Sequence, residues 1–406
     1  MVAEAARLLS YEEALALVLK TKGSMGREVV ALSNLVGRTL AEPLVSRFDQ
    51  PYFDSSAVDG YAFAEKDVRL GLVGRTFDLS GELQAGSSIS LELVPGSVAR
   101  VFTGAPLPKG TGAVVMQEDI DRSGDRVAVR GAVELGEHVR RQGEEIRAGE
   151  LLLAAPTLIA PAELGAIAAA GFTEAVVFRQ PNVGLLVTGN ELQTPGSELM
   201  PGQVFESNSH AISSALLAMG LPEPTIRQSS DNVDELSGVI QELLQSCDLL
   251  ITTGGVSVGD YDLVRPVFQS LGVRQVFWGV AIKPGKPVYF GQTDRCSVFA
   301  LPGNPVSALT AFLLFVRPLL LALQMHDPSL KTVRRKLTQE LSKKAGRCEF
   351  VPARMDDSHA DPMTGRASHK ASSLVGANGF VVLAAQQTKA EKGAMVDVLP
   401  LNWGIG

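Results

Sequence analysis

Apolar positions along this chain follow two rhythms. Across residues 28–150 short apolar runs alternate with Gly, Pro and Asp, as in ALSNLVGRTLAEPL, GRTFDLSGEL and SVARVFTGAPLPKG, which predicts strands joined by turns and a mainly β region. Across residues 181–324 strand-like runs alternate with helix-length patterns: NVGLLVTG, HAISSALLAMG, VDELSGVIQELLQS and CDLLITTGG. That alternation predicts a parallel sheet with helices on both faces. Further strands are expected at 276–280 and 297–301. A helix should follow Asn304, whose side chain can cap it with Pro305 at its first position, and Pro318 should kink or interrupt it. Residues 331–406 return to strand-like runs with polar turns such as DDSHADPMTGR, a small β domain. Two shorter helices are predicted. One begins where Ser10 and Glu13 form a capping-box pattern ahead of Ala14, Leu15, Leu17, Val18 and Leu19; the other runs from Pro161 to the residue before Gly171.

Composition narrows the class. The chain has 406 residues, 45% hydrophobic and 20% charged, too many for one ordinary core, so two to four domains are expected. A net charge of -7 and 6% aromatic content supply no basic stripe for a phosphate backbone, which argues against nucleic acid as partner. Cys247, Cys296 and Cys348 stand far apart, suggesting neither disulfides nor zinc and fitting a reducing, cytoplasmic setting. The start lacks the basic and apolar regions of a secretory signal. Residues 308–325 are the most apolar stretch, and Arg317 and Pro318 break it, so no membrane segment is expected.

Three turns fall directly after predicted strands of the α/β region: Thr188-Gly189-Asn190-Glu191, Thr252 to Asp260 (TTGGVSVGD), and Leu301-Pro302-Gly303-Asn304-Pro305. Ligands of open α/β sheets bind at the carboxyl ends of strands, where such loops converge. Gly254, Gly255 and Gly259 let backbone N–H groups approach an anion, while Ser257, Thr252 and Thr253 add hydroxyls, a set suited to phosphate; tight βα turns alone would also favour the glycines. Lys283-Pro284-Gly285-Lys286-Pro287 sets two cations on a stiff segment near the same edge, either for one anion or as a solvated turn. Glu191, Asp231, Asp260 and Asp262 offer hard oxygen ligands of the kind Mg²⁺ shares with phosphates, although each also suits a cap or a turn. The segment PYFDSSAVDGYA (51–62) reads as a structured loop. The five histidines show no ligand spacing, and no Ser-His-Asp triad stands out. The charged run 331–344 reads as a linker or solvated strand face.

In order along the chain, PYFDSSAVDGYAF, FTGAPLPKGTGAVVMQED, VRRQGEE, LLVTGNELQTPG, TTGGVSVGDYD, AIKPGKPVYF and LPGNPVSAL resemble the molybdopterin molybdenumtransferase (MoeA) family, which is similar to the E domain of gephyrin. The glycine loop and LPGNP are shared with the smaller MogA/MoaB proteins. The resemblance implies a multidomain α/β plus β fold. It has an elongated linking and dimerisation segment (1–48 and 147–179), an inserted β domain (49–146), a MogA/MoaB-like three-layer α/β domain (180–326) and a C-terminal β domain (327–406). It also implies a homodimer in which Asp59 and Thr103 of the inserted domain complete the partner's site. The implied activity is transfer of molybdate into adenylylated molybdopterin, with Mg²⁺-assisted phosphoanhydride cleavage and release of AMP. A MogA-like adenylyltransferase and molybdoenzyme recipients are the implied further partners.

On that basis Asp231 and Asp262 become the candidate metal ligands, with Asp59, Thr103, Glu191, Lys283 and Lys286 acting on the reacting groups. The ligand would be held by Thr188, Gly189, Gly254, Gly255, Ser257, Gly259, Asp260, Pro284, Gly285, Pro302, Gly303, Asn304, Pro305 and Ser307. Arg140 and Glu145 would brace the inserted domain. Three positions depart from the family pattern: Asn190, Glu145 and Gly279, the last removing a lysine. A noncatalytic dimeric scaffold is the alternative reading, disfavoured by the convergent carboxylates. Adenylylation of molybdopterin itself is a third, disfavoured by the large extra domains.

Overall fold

A computed structural model describes residues 8–20, 25–88, 92–255, 263–363 and 369–404. Ser257, Gly259, Asp260 and Asp262 therefore lie outside the described residues. The chain divides into two compact units, one of Met1–Glu28, Gly37–Thr39 and Val177–Gly406, the other of Val29–Val36 and Leu40–Val176.

The larger unit is built on a six-stranded sheet of β1 (Val183–Thr188), β2 (Thr225–Ser229), β3 (Leu249–Thr253), β4 (Arg274–Trp278), β5 (Tyr289–Gln292) and β6 (Ser297–Leu301), in the spatial order β2-β1-β3-β6-β5-β4. β2, β1, β3 and β6 run parallel; β5 is antiparallel to β6, and β4, antiparallel to β5, runs in the direction of the parallel set. The sheet is thus mixed where a parallel one was expected, and β5 is an element the sequence pattern missed. Neighbouring residues of a strand point to opposite faces, and the core follows that rule. Leu185, Ile251, Phe299 and Leu301 pack with Ile212, Leu216 and the helix after Asn304, whereas Leu186, Leu250, Val298 and Ala300 pack with Leu236, Ile240, Leu243, Val264 and Phe268. Strands buried on both faces read as continuous apolar runs, as in VGLLV and LLI.

Helix ends obey local chemistry. Ser10 Oγ accepts from the Glu13 N–H at 3.1 Å and Glu13 Oε2 accepts from the Ser10 N–H at 2.8 Å, closing the capping box ahead of Tyr11–Lys20. Asn232 Oδ1 accepts from the N–H groups of Asp234 and Glu235 at the start of Val233–Ser246. Asn304 does occupy the N-cap position before Pro305, yet its side chain makes no capping bond. The helix runs unbroken from Pro305 to Leu323. Pro318 removes one N–H, and the α pattern widens to a π turn at Phe312–Val316 just before it, a way of accommodating a missing bond without ending the helix. This helix is long and apolar enough to cross a membrane, but almost all of it is buried in the unit's core. Arg317 lies inside too, donating from Nη2 to the Gly404 carbonyl at 2.8 Å.

The tail forms a second six-stranded sheet, and the chain between β4 and β5 joins it: Ile282 and Lys283 pair in parallel with Cys348 and Glu349. Val333–Leu337, within the charged run, is a strand of this sheet.

In the smaller unit, six strands lie in the order Thr111–Met116, Gly60–Ala64, Ser97–Val101, Thr76–Leu83, Arg126–Val129, Ile120–Ser123. The aromatic motif is not all loop: Ser55–Ser56 is a short buried strand paired with Val139–Arg140, and Gly60–Ala64 is a fully buried strand. Arg140 pairs with Ser55 in a short antiparallel ladder, Arg141 adds an ion pair to Asp54 at 2.7 Å, and the Glu145 N–H donates to the Gln50 carbonyl at 2.9 Å. A Cβ on Gly60 would stand 2.1 Å from the Val115 carbonyl oxygen, a backbone atom that cannot yield cheaply. Gly60→Ala should therefore destabilise this unit by about 3 kcal/mol. Hydrogen exchange should speed up in 60–64 and 111–116, and unaltered protection there would refute this packing.

Candidate active site

Strand register sets the site. Thr188 pairs with Ser229, Val187 with Thr253, and Thr253 with Leu301. The segments that leave these strands, at Gly189, Ser230, Gly254 and Pro302, consequently emerge at one edge. They also pack closely. A Cβ on Gly254 would lie 2.5 Å from the Thr188 carbonyl oxygen, and the φ of +93° already favours glycine. Gly255 also has positive φ and lies against Val264, while the Cβ position of Gly303 is 3.6 Å from the Gly254 Cα. Packing alone therefore demands glycine at 254 and 255, whatever occupies the space outside them.

Asp231 stitches the first two segments together. Its Oδ1 accepts from Thr188 Oγ1 at 3.0 Å and its Oδ2 from the Asn190 N–H at 3.3 Å, while Asn190 Oδ1 accepts from the Asp231 N–H at 3.1 Å. Asn190 makes this last bond with a neutral amide. An aspartate in its place could accept equally but would set a second negative charge beside Asp231, so the departure lowers the charge of the pair. Glu191 folds over Gly189, its Oε2 only 2.7 Å from where a Cβ would stand.

These segments border a cavity of about 820 Å³ lined by Thr188, Gly189, Glu191, Asp231, Thr253, Gly254, Gly255, Pro302, Gly303, Asn304 and Pro305. Thr253 Oγ1 is buried without a partner among the described residues, as is Thr252 Oγ1. A buried hydroxyl left unbonded at a cavity wall suits a ligand acceptor. The same cavity takes walls that sequence reasoning missed: Val204 and Phe205, the buried Glu206 and Asn208, and His369 with Ala371 from the C-terminal segment. The exposed pair Val204 and Phe205 could have been noticed only as apolar residues in an otherwise polar stretch; His369 carried no local signal.

Lys283, Pro284, Gly285, Lys286 and Ser307 line an adjoining cavity of about 330 Å³, with Arg347, Glu349 and Ser373. Asn304 and Pro287 border both spaces. The two lysines thus face a neighbouring compartment rather than the glycine loop, and Lys283 Nζ is paired with Glu349 Oε1 at 3.1 Å. This follows from the pairing of Lys283 with the Glu349 strand, which draws the stiff segment toward the C-terminal sheet. Arg347 adds a cation that the sequence pattern did not flag. Gly279 has φ of +84°, and a Cβ there would approach Leu8 Cδ2 to 2.8 Å, so the missing lysine is a packing change as well as a lost charge.

Among the described residues no group of three or more His, Cys, Asp or Glu is placed to hold a metal ion. Glu191 and Asp231 are the described carboxylates that border the larger cavity on the loops after β1 and β2. Their oxygen donors fit a hard cation that takes its remaining ligands from phosphate and water.

In the smaller unit the structure brings Asp59 and Thr103 together across 44 residues of chain: both the N–H and the hydroxyl of Thr103 donate to Asp59 Oδ1 at 2.8 Å. The backbone bond first, then the hydroxyl, holds the Asp59 carboxyl below its ordinary 3.8. A depressed carboxylate adds stability above that ordinary value and loses it as pH falls through the lowered one. Thr103→Val should raise the Asp59 midpoint part of the way back, since the backbone bond remains. An NMR titration reads this directly, and an unmoved midpoint would deny the hydroxyl any part.

Comparison with known families covers nearly the whole chain. Residues 9–171 match the MoeA N-terminal region (domain I and II), residues 184–322 a "probable molybdopterin binding domain", and residues 334–401 the MoeA C-terminal region (domain IV). Molybdopterin molybdenumtransferase 2 of Mycobacterium tuberculosis is 34% identical over 388 residues, covering 92% of this chain and 95% of that protein. The molybdopterin molybdenumtransferase of Haemophilus influenzae is 32% identical over 390 residues, covering 93% and 95%. A molybdopterin biosynthesis MoeA protein of Pyrococcus horikoshii, known as a crystal structure, superposes with a TM-score of 0.83 at 30% identity, over 97% of this chain and 99% of that one. With those matches and this mixed α/β and β architecture, the chain belongs to the MoeA family of molybdopterin molybdenumtransferases.

Proposed function

We propose that this protein inserts molybdenum from molybdate into adenylylated molybdopterin and releases AMP. The observation that carries the reading is the pair of adjoining cavities bordered in common by Asn304 and Pro287, one beside the glycine loop and one lined by Lys283, Lys286 and Arg347. A pyrophosphate and a tetrahedral oxyanion repel each other, and bringing them into neighbouring compartments needs fixed donors and cations on both sides. The Gly254 N–H donates to the Leu301 carbonyl at 3.3 Å, which leaves the backbone N–H of Gly255 and the Thr253 hydroxyl as the groups suited to phosphate oxygens. Lys286 and Arg347 then offset the oxyanion, with Lys283 partly committed to Glu349.

Mg²⁺, when bound, would neutralise charge on the phosphoanhydride, with Glu191, Asp231 and Asp262 as its protein ligands. Asn190 keeps Asp231 oriented through their reciprocal bonds. We assign a homodimer in which Asp59, positioned by Thr103, completes the partner's site, and the four-part division at residues 48, 146, 179 and 326. A MogA-like adenylyltransferase would supply the substrate, and molybdoenzymes would receive the product.

The test is AMP release by the purified protein given adenylylated molybdopterin and Mg²⁺, with and without molybdate, together with detection of the cofactor. Molybdate-dependent release is the expected result; tight binding without turnover would point to a scaffold instead. Lys286→Ala and Arg347→Ala should each raise the molybdate concentration for half-maximal rate by about 10- to 100-fold, the loss of one charge-assisted contact. Asp59→Ala and Asp262→Asn should abolish turnover in a folded dimer, and full activity in both would remove their assigned roles.

A further inference from the structure

Phe205 is an unusual wall for a phosphate site. It is 45% exposed and Val204 before it 50% exposed, yet both border the larger cavity. No other aromatic ring or guanidinium among the described residues stacks on Phe205. Its backbone is nevertheless held firmly. Val204–Phe205 pairs in parallel with Leu192–Gln193, through the Val204 N–H to the Glu191 carbonyl at 2.9 Å and the Glu206 N–H to the Gln193 carbonyl at 2.8 Å.

The residues that follow lock the position further. The buried Glu206 carboxylate accepts from the Ser209 N–H at 2.8 Å and from its hydroxyl, at the start of helix Asn208–Ala218. Asn208 Nδ2 donates to the Gly303 carbonyl at 2.8 Å. The phenyl ring is thus tied by short paths to the loop after β1 and the loop after β6, the same loops that border the glycine turn. An apolar ring held this way, partly open to solvent in a cavity with the orphaned Thr253 hydroxyl and a glycine turn, matches a ligand with a flat heteroaromatic ring and an anionic tail. Stacking is the interaction such a ring offers, because every heteroaromatic base presents a π face.

We propose that Phe205 is a stacking platform for a heteroaromatic ring of the substrate. The proposal rests on the reading of this cavity as the substrate site. Two rings of that substrate share the needed chemistry, adenine and pterin, and separate probes tell them apart.

Calorimetric titration of the full-length protein with AMP, and separately with a pterin monophosphate lacking nucleotide, tests it. Phe205→Ala should weaken one of the two by about 5- to 150-fold, while Phe205→Tyr and Phe205→Trp stay within about threefold of wild type. The probe affected identifies the ring. Equal affinity of Phe205→Ala and wild type for both probes would overturn the stacking role and leave the cavity assignment standing. So would a loss in Phe205→Trp and Phe205→Tyr as large as in Phe205→Ala, with thermal unfolding unchanged. Absence of wild-type binding to either probe would instead overturn the cavity assignment, and the stacking role with it.

Discussion

The Thr188 carbonyl oxygen sits 2.5 Å from where a side chain on residue 254 would begin, and Gly303 lies against Gly254 on the other side. This contact between strand ends depends on register: Val187 opposite Thr253, and Thr253 opposite Leu301. A slip of one residue would turn every core side chain of a strand to the other face. Because both faces of this sheet are buried against separate helical layers, the register is strongly specified, and so is the edge on which the three segments meet. The candidate site inherits its position from the core beneath it.

Charge at that edge is distributed in compartments. Asp231 is engaged by Thr188 and Asn190, and Asn190 contributes an amide where a carboxylate would have doubled the negative charge. The cations gather in the next cavity, where the lysine segment leaves β4 and pairs with the C-terminal sheet. Glu349 offsets Lys283 there, leaving Lys286 and Arg347 as the less encumbered charges. The C-terminal segment contributes more than bulk, since it brings Glu349 and Arg347 to one cavity and His369 to the other.

Two polar side chains inside the larger unit find partners at differing reach. His326 Nε2 meets Thr39 Oγ1 at 2.8 Å, and burial holds its imidazole below the ordinary value. Arg317, buried in the long helix, finds one carbonyl 87 residues away, and burial holds its guanidinium below the ordinary value. The helix with the length and composition of a membrane span belongs to an internal core, and within it Arg317 Nη2 and the Thr310 hydroxyl are met by protein carbonyls.

Periodicity alone exposed the alternation of strands and helices, because strands buried on both faces and helices with one apolar stripe leave distinct patterns. Residue types after those strands also marked the three segments that border the larger cavity, since glycine and hydroxyl residues there answer to local backbone geometry. The reciprocal bonds of Asn190 and Asp231, the pairing of Lys283 with Glu349, and the arrival of Phe205, Arg347 and His369 at cavity walls had no such signature. Each depends on which distant segments pack together, and a side chain's neighbours across tens of residues are set by the folded core rather than by its own place in the sequence.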